Sequence, residues 1–213
     1  MTTLLLVRHG ESTANLQRRF AGNWDADLTP RGHAQAELTA KYITENYKVD
    51  AIYSSDLRRA RETARHIADR QGLTLQLHKG LREISAGAWD GQPFEKIEAD
   101  FPEDHRVWKN DIGNARCTNG EAVAEMADRV LAAVTEIALQ NDGKTVVMVC
   151  HATPIRAMRC LWQGLAITDM QQVPWVTNAS VTSGTFDNGI FTLQKIGADD
   201  HLASMITALP VDV

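Results

Sequence analysis

Apolar and polar positions along this chain change period several times, and each change marks an element. Residues 2–7 are a near-continuous apolar run of strand length. Thr29-Pro30 reads as an N-cap followed by proline at the first helical position. That helix runs to about Tyr47, carrying Ala34, Leu38, Tyr42 and Ile43. Asp50 to Ser54 is a second short strand, and a helix follows from about Asp56 to Gln71. Leu57, Ala60, Ala64 and Ile67 share one face of it. Thr74 to Leu77 is a third strand. Thr118 and Glu121 have capping-box spacing and open a periodic helix through Val123, Met126, Val130, Val134 and Ile137. Val146 to Val149 is a fourth strand, apolar at every position, which places it at a sheet centre with both faces covered. A helix over about 154–163 comes next, and residues 185–191 form a hairpin on Asn188-Gly189. Between residues 85 and 119 the pattern weakens and predicts one short helix near Phe94–Ala99.

Strands alternating with helices predict one domain over residues 1–213. Its expected architecture is a three-layer α/β/α sandwich with a mainly parallel central sheet and one antiparallel strand. If the strands are parallel neighbours, their C-terminal ends lie on one edge, where open α/β sheets bind ligands. That edge collects Arg8 and His9, then Ser54 to Arg59, then Glu83 and His151.

Composition narrows the classes. A length of 213 residues suits one domain with a full core. A net charge of −5 argues against a general nucleic-acid binder, which shows a basic face. The three cysteines make no disulfide framework, so a reducing cytoplasm is expected. No apolar stretch approaches a membrane span, and the N-terminal run is too short for a signal peptide.

Two histidines, at least two arginines and one glutamate at one sheet edge suit phosphoryl transfer, where the catalyst positions and neutralises spread negative charge. Arg8 and one of Arg58 or Arg59 can supply bidentate donors, and spacing alone does not choose between the latter two. A neutral His9 can attack phosphorus and carry the phosphoryl group. His151 can donate to the developing charge. Glu83 can protonate the departing alkoxide and then activate water.

These segments resemble a known family. Leu6-Val7-Arg8-His9-Gly10-Glu11-Ser12, with Asn15, Leu28-Thr29 and Gly32, is similar to the opening of the histidine phosphatase superfamily, in the branch of the cofactor-dependent phosphoglycerate mutases. Ser54 to Ala64 resembles its motif S-x-L-x-R-A-x-x-T-A, and that alignment selects Arg59 over Arg58. Leu81-Arg82-Glu83 with Gly87 to Gly91 is similar to the segment of the acid/base glutamate. Cys150 to Arg156 resembles the segment of the second catalytic histidine. The resemblance implies a phosphohistidine on His9, catalytic roles for Arg8, Arg59, Glu83 and His151, and neither metal nor cofactor. Arg8, Gly10, Asn15, Arg19, Ala21, Gly22, Arg59 and Ala152 are the implied substrate-binding positions, for a small phosphorylated metabolite. A homodimer is compatible with it; a nucleic acid or membrane partner is not expected. Ala152 stands where the family usually has glycine, and Arg19-Phe20-Ala21-Gly22 replaces a usual Gln-Gly. The stretch after Glu83 is too compact for the insertion of glycolytic mutases, so phosphatase is favoured over mutase. A non-catalytic phospho-ligand binder is the reading from a different class.

Two other chemistries compete. Cys150 and Arg156 satisfy C-x5-R, the spacing of cysteine-dependent phosphatases, but Pro154 removes an N–H from that loop and Ala157 replaces the usual Ser or Thr. His33, His66, His78, His105 and His201 show no ligand-like spacing with carboxylates and are expected at the surface or in helix packing. The tryptophans, Trp24 and Trp89 among them, are expected as core or pocket wall.

Overall fold

The computed structural model describes residues 1–209. Strand β1 (Thr2–Arg8) leads into a one-turn helix α1 (Thr13–Leu16) and then the long helix α2 (Pro30–Asn46). Strand β2 (Ala51–Ser54), helix α3 (Arg58–Gln71) and strand β3 (Leu75–Leu77) follow. Helices α4 (Phe94–Asp100), α5 (Pro102–Asn110) and α6 (Val123–Gln140) precede strand β4 (Thr145–Cys150). Helix α7 (Ala152–Trp162) and the hairpin of β5 (Val181–Asp187) and β6 (Ile190–Ala198) complete the set.

The sheet order is β3-β2-β4-β1-β5-β6. Strands β1 to β4 run parallel, and β5 is antiparallel to both of its neighbours. Among the described residues it is therefore the one reversed strand. The all-apolar strand β4 sits between β2 and β1, as its pattern predicts. Residue alternation decides the layers. Leu4 and Leu6 of β1, Ala51 and Tyr53 of β2, and Val146 and Met148 of β4 pack with α6 and α7. Leu5, Val7, Ile52, Val147 and Val149 face the other way, onto α2 and α3. Side chains on a strand alternate between faces, so one apolar run feeds two cores.

Local chemistry explains the boundaries. Thr29 Oγ1 accepts the Gly32 N–H at 3.0 Å, and Pro30 opens α2. Asn188 and Gly189 both have positive φ, the geometry of a tight two-residue hairpin. Helix α3 starts at Arg58 and not at Asp56, because Arg82 takes both Asp56 carboxylate oxygens at 2.6 Å. Asp25 then supplies the cap, accepting the Arg58 N–H at 2.6 Å. The expected Thr118/Glu121 capping box is corrected as well. Helix α6 begins at Val123, and Glu125 accepts the Ala122 N–H at 3.0 Å. Thr118 instead joins Trp89 Nε1 and Asp104, while Glu121 accepts from Ser85 N and Arg129.

Residues 85–119 hold α4 where a helix is expected and also α5, which the pattern does not predict. Helix α5 carries Pro102 at its first position and Glu103 and Asp104 in its first turn, which complement the helix dipole. It is held by Trp108, whose ring meets Phe20 and Trp89 edge-on at 5.1 and 5.9 Å. Truncating a fully buried β1 side chain that packs onto α2 and α3, as in Leu5→Ala, is expected to cost about 2–5 kcal/mol. Urea unfolding measures it, and a loss below about 1 kcal/mol would contradict the two-sided packing.

Candidate active site

The register of β1 on β4 pairs Arg8 with Cys150, so the residues one step beyond are His9 and His151. The His9 N–H closes this junction on the Cys150 carbonyl at 3.1 Å. The two imidazole centroids are 5.2 Å apart with planes tilted by 60°. Both rings are buried. Strand β2 pairs Ser54 with Val149, and Ser55 continues the ladder by donating its N–H to the Val149 carbonyl.

His9 has a defined tautomer. Its Nδ1 lies 2.7 Å from the Gly10 carbonyl, which can only accept, so Nδ1 carries the proton. Nε2 is then unprotonated, and its lone pair accepts from Arg59 Nε at 3.3 Å. Burial, with Arg59 and Arg8 nearby, holds the imidazole well below its ordinary value of 6.5. Burial and the Arg59 charge do the same to His151. A neutral His9 with an unprotonated Nε2 is the protonation state a nucleophile needs.

Arg59 is buried, and its fork is anchored by the Gly22 and Trp24 carbonyls at 2.8 and 2.9 Å. Gly22 is required here: its φ is +48°, and an added Cβ would lie 1.9 Å from Asp90 Oδ1. Arg8 donates to the Val176 carbonyl at 2.5 Å. Burial pushes both guanidinium groups down to about 10, which leaves them charged at neutral pH. Arg58 lies outside this group, exposed and paired with Asp27 at 2.6 Å. Glu83 is buried; its carboxylate accepts from Ile84 N at 2.9 Å and Thr153 N at 3.4 Å.

Arg8, His9, Asn15, Arg19, Ala21, Gly22, Arg59, Glu83 and Ala152 line one cavity. Phe20, Phe94, Trp108, Trp175 and Leu209 give it an apolar wall. Two expected members do not line it. His151 is fully buried beside His9, with Ala152 and Thr153 reaching the cavity in its place. Gly10 directs its N–H to Thr63 Oγ1 and its carbonyl to His9, so it shapes the nucleophile's support. Thr153 and Asn178 are residues of this region that the pattern does not single out, while Ser55 falls within the Ser54–Arg59 segment. Asn178 Nδ2 holds the His9 carbonyl at 3.0 Å and reaches Asn15 at 3.3 Å. The motif serine Ser55 had a sequence signal, whereas Thr153 and Asn178 act through contacts that only packing creates.

The cysteine alternative fails on geometry. Burial pushes the Cys150 thiol up to about 12, so it is not a thiolate at neutral pH. Arg156 donates to the Val173 and Gln171 carbonyls and lies over the Trp175 ring at 4.2 Å. Of the other histidines, His33 and His66 meet on the surface of α2 and α3, and His201 stacks on Tyr42. Among the described residues, no three His, Cys, Asp or Glu side chains gather as metal ligands. No helix among them is long and apolar enough to cross a membrane.

Comparison with known proteins agrees with this geometry. The family description "Histidine phosphatase superfamily (branch 1)" matches residues 4–199. The chain is 36% identical over 168 residues to phosphoserine phosphatase 1 of Hydrogenobacter thermophilus, covering 79% of each protein. It is 31% identical over 201 residues to glucosyl-3-phosphoglycerate phosphatase of Mycolicibacterium vanbaalenii, covering 88% of each. The solved structure of Bacillus stearothermophilus YhfR superposes with a TM-score of 0.90 at 29% identity, over 95% of this chain and all of that one (100%). This chain belongs to the histidine phosphatase superfamily, branch 1, and it is a phosphomonoester hydrolase.

The buried neutral histidines set a pH dependence. Unfolded histidine gains its proton near 6.5, whereas His9 and His151 in the folded chain resist it until well below that value. Between those limits the unfolded state binds more protons, so stability rises with pH there and falls as pH drops. The urea midpoint is expected to fall from about pH 7 to about pH 5. The acid limb of kcat/KM should likewise lie below 6.5, because His9 stays neutral there. A limb at 6.5 or above would show that His9 titrates as an ordinary surface imidazole.

Proposed function

We propose that this chain hydrolyses a small phosphomonoester in two steps, through a phosphohistidine on His9 Nε2. The observation that carries the reading is the neutral His9 whose Nε2 lone pair faces a buried, anchored arginine. In the first step Nε2 attacks phosphorus in line, the bond to the leaving oxygen breaks, and Glu83 gives that oxygen a proton. In the second, Glu83 takes a proton from water, whose oxygen attacks phosphorus and frees the imidazole. Arg8, Arg59 and His151 neutralise the equatorial oxygens throughout. Asn15, Arg19, Ala21, Gly22 and Ala152 contact the substrate, while the wall of Phe20, Phe94, Trp108 and Trp175 covers its carbon part.

The two relatives named above are, by name, a phosphoserine phosphatase and a glucosyl-3-phosphoglycerate phosphatase, which supports a small phosphorylated metabolite as substrate here. Cys117, Cys150 and Cys160 are buried free thiols, in keeping with work in a reducing cytoplasm.

The test is a phosphate-release screen over phosphorylated metabolites, with rapid denaturation to trap the phosphoenzyme. Wild type is expected to yield an acid-labile phosphohistidine, and His9→Ala none; a phosphoenzyme that persists in His9→Ala would overturn the assignment. Transfer between substrate hydroxyls that depends on a bisphosphate primer, without net phosphate release, would mark a mutase instead. Arg59→Ala is expected to lower kcat by about 10²–10³, the scale for one charge-stabilising donor. A near-normal rate would remove Arg59 from the clamp. Glu83→Gln should cost about 10²–10⁴ with poor leaving groups. Esters of acidic phenols need no proton on leaving, so their phosphorylation step should be spared.

A further inference from the structure

The second histidine must act as a donor, and a histidine chooses between two tautomers of similar energy in water. His151 Nε2 lies 2.8 Å from Ser55 Oγ. Its Nδ1 is buried and has no hydrogen-bond partner among the described residues. Whichever nitrogen carries the proton in neutral His151 therefore depends on the serine.

Ser55 has one hydroxyl proton to give and two lone pairs to receive. The Leu57 N–H donates to its Oγ at 3.3 Å. Ser55 itself is fully buried. With the Leu57 N–H on one lone pair, the hydroxyl proton still needs an acceptor, and His151 Nε2 lies within reach at 2.8 Å. If Nε2 were protonated, two donors would converge on Oγ and the hydroxyl proton would have to find another acceptor. The backbone of Ser55 is fixed by its N–H on the Val149 carbonyl and its own carbonyl under Ser54 Oγ at 2.8 Å. The hydroxyl is thus presented to His151 by the end of β2, and it is not a free rotor on the surface.

We propose that Ser55 is a positioning residue that donates to His151 Nε2 and so holds the proton on His151 Nδ1, as a donor beside the His9 nucleophile. The two histidines then carry opposite assignments that suit opposite tasks. The Gly10 carbonyl leaves His9 Nε2 as a lone pair, and the Ser55 hydroxyl leaves His151 Nδ1 as an N–H. No covalent step involves Ser55. It acts through His151, and the catalytic part of its role rests on the phosphohistidine reading above.

The experiment is ¹⁵N-histidine NMR on wild type and Ser55→Ala, with kinetics on the same samples. Wild-type His151 is expected as the Nδ1–H tautomer, with an Nε2 shift typical of an unprotonated, hydrogen-bonded nitrogen. In Ser55→Ala the two tautomers should mix, and kcat should fall about 10–100-fold, the scale for losing an orienting partner of a functional imidazole. KM should hold, because the lost interaction matters most in the transition state. Ser55→Thr keeps the hydroxyl and should restore both the spectrum and most of kcat. An Nε2–H tautomer in wild type would overturn the proposal without any variant. So would a folded Ser55→Ala that keeps pure Nδ1–H and the wild-type kcat. The spectrum needs no substrate. A chain with Nδ1–H on His151 and no trappable phosphoenzyme would sink the hydrolase reading and still uphold the serine's hold on the tautomer.

Discussion

The parallel register of β1 on β4 is the constraint on which the site depends. Pairing Arg8 with Cys150 carries the chain out of the sheet at the same level on both strands, so His9 and His151 emerge side by side. A shift of one residue would send each side chain to the opposite face of the sheet. Leu4 and Leu6 would then trade cores with Leu5 and Val7, and the two cores are built from different helices. The packing that stabilises the sandwich therefore also fixes the spacing of the two imidazoles. Catalytic geometry and core packing are one requirement here.

Around that pair the chain buries positive charge and anchors it on carbonyls. Arg8 rests on Val176, and Arg59 on Gly22 and Trp24. A carbonyl orients a guanidinium without cancelling its charge, so the cavity keeps a positive field that a phosphate dianion can enter. The same field, together with burial, keeps both histidines neutral. Arg8 Nε and His151 Nδ1 are buried with no hydrogen-bond partner among the described residues. Such groups are costly unless something completes them, and a phosphoryl group is an acceptor of the right kind.

Much of this was legible from pattern. The four parallel strands, the long helices α2 and α6, the Asn-Gly hairpin and the central place of β4 follow from period and turn chemistry. Convergence of Arg8, His9, the Ser54–Arg59 segment, Glu83 and His151 on one edge follows from placing strand ends together. The capping of α3 was not legible, because Asp25 and Arg82 come from segments distant in sequence, and at α6 the box lies four residues further on because Glu121 is taken by Ser85 and Arg129. Helix α5 carries weak periodicity and is held by the contact of Trp108 with Phe20 and Trp89. Gly10 and His151 were expected among the substrate-binding and catalytic residues, and they do not line the cavity, because which groups reach it is set by side-chain direction that spacing does not resolve.

The residue types and their order were enough to determine the fold class and the chemistry on offer: a nucleophilic imidazole, two cationic forks, a carboxylate and a donor at one sheet edge. Motif alignment could select Arg59 over Arg58, but the reason is three-dimensional. Arg58 finds Asp25 and Asp27 in solvent, whereas Arg59 turns inward onto Gly22, Trp24 and His9. Protonation is decided at the same level. The proton on His9 Nδ1 depends on the adjacent Gly10 carbonyl at 2.7 Å, and the surroundings of His151 Nε2 depend on the Ser55 hydroxyl that the sheet brings to 2.8 Å. Hydrogen bonds are directional and short-ranged, so only the folded arrangement of neighbours could settle them.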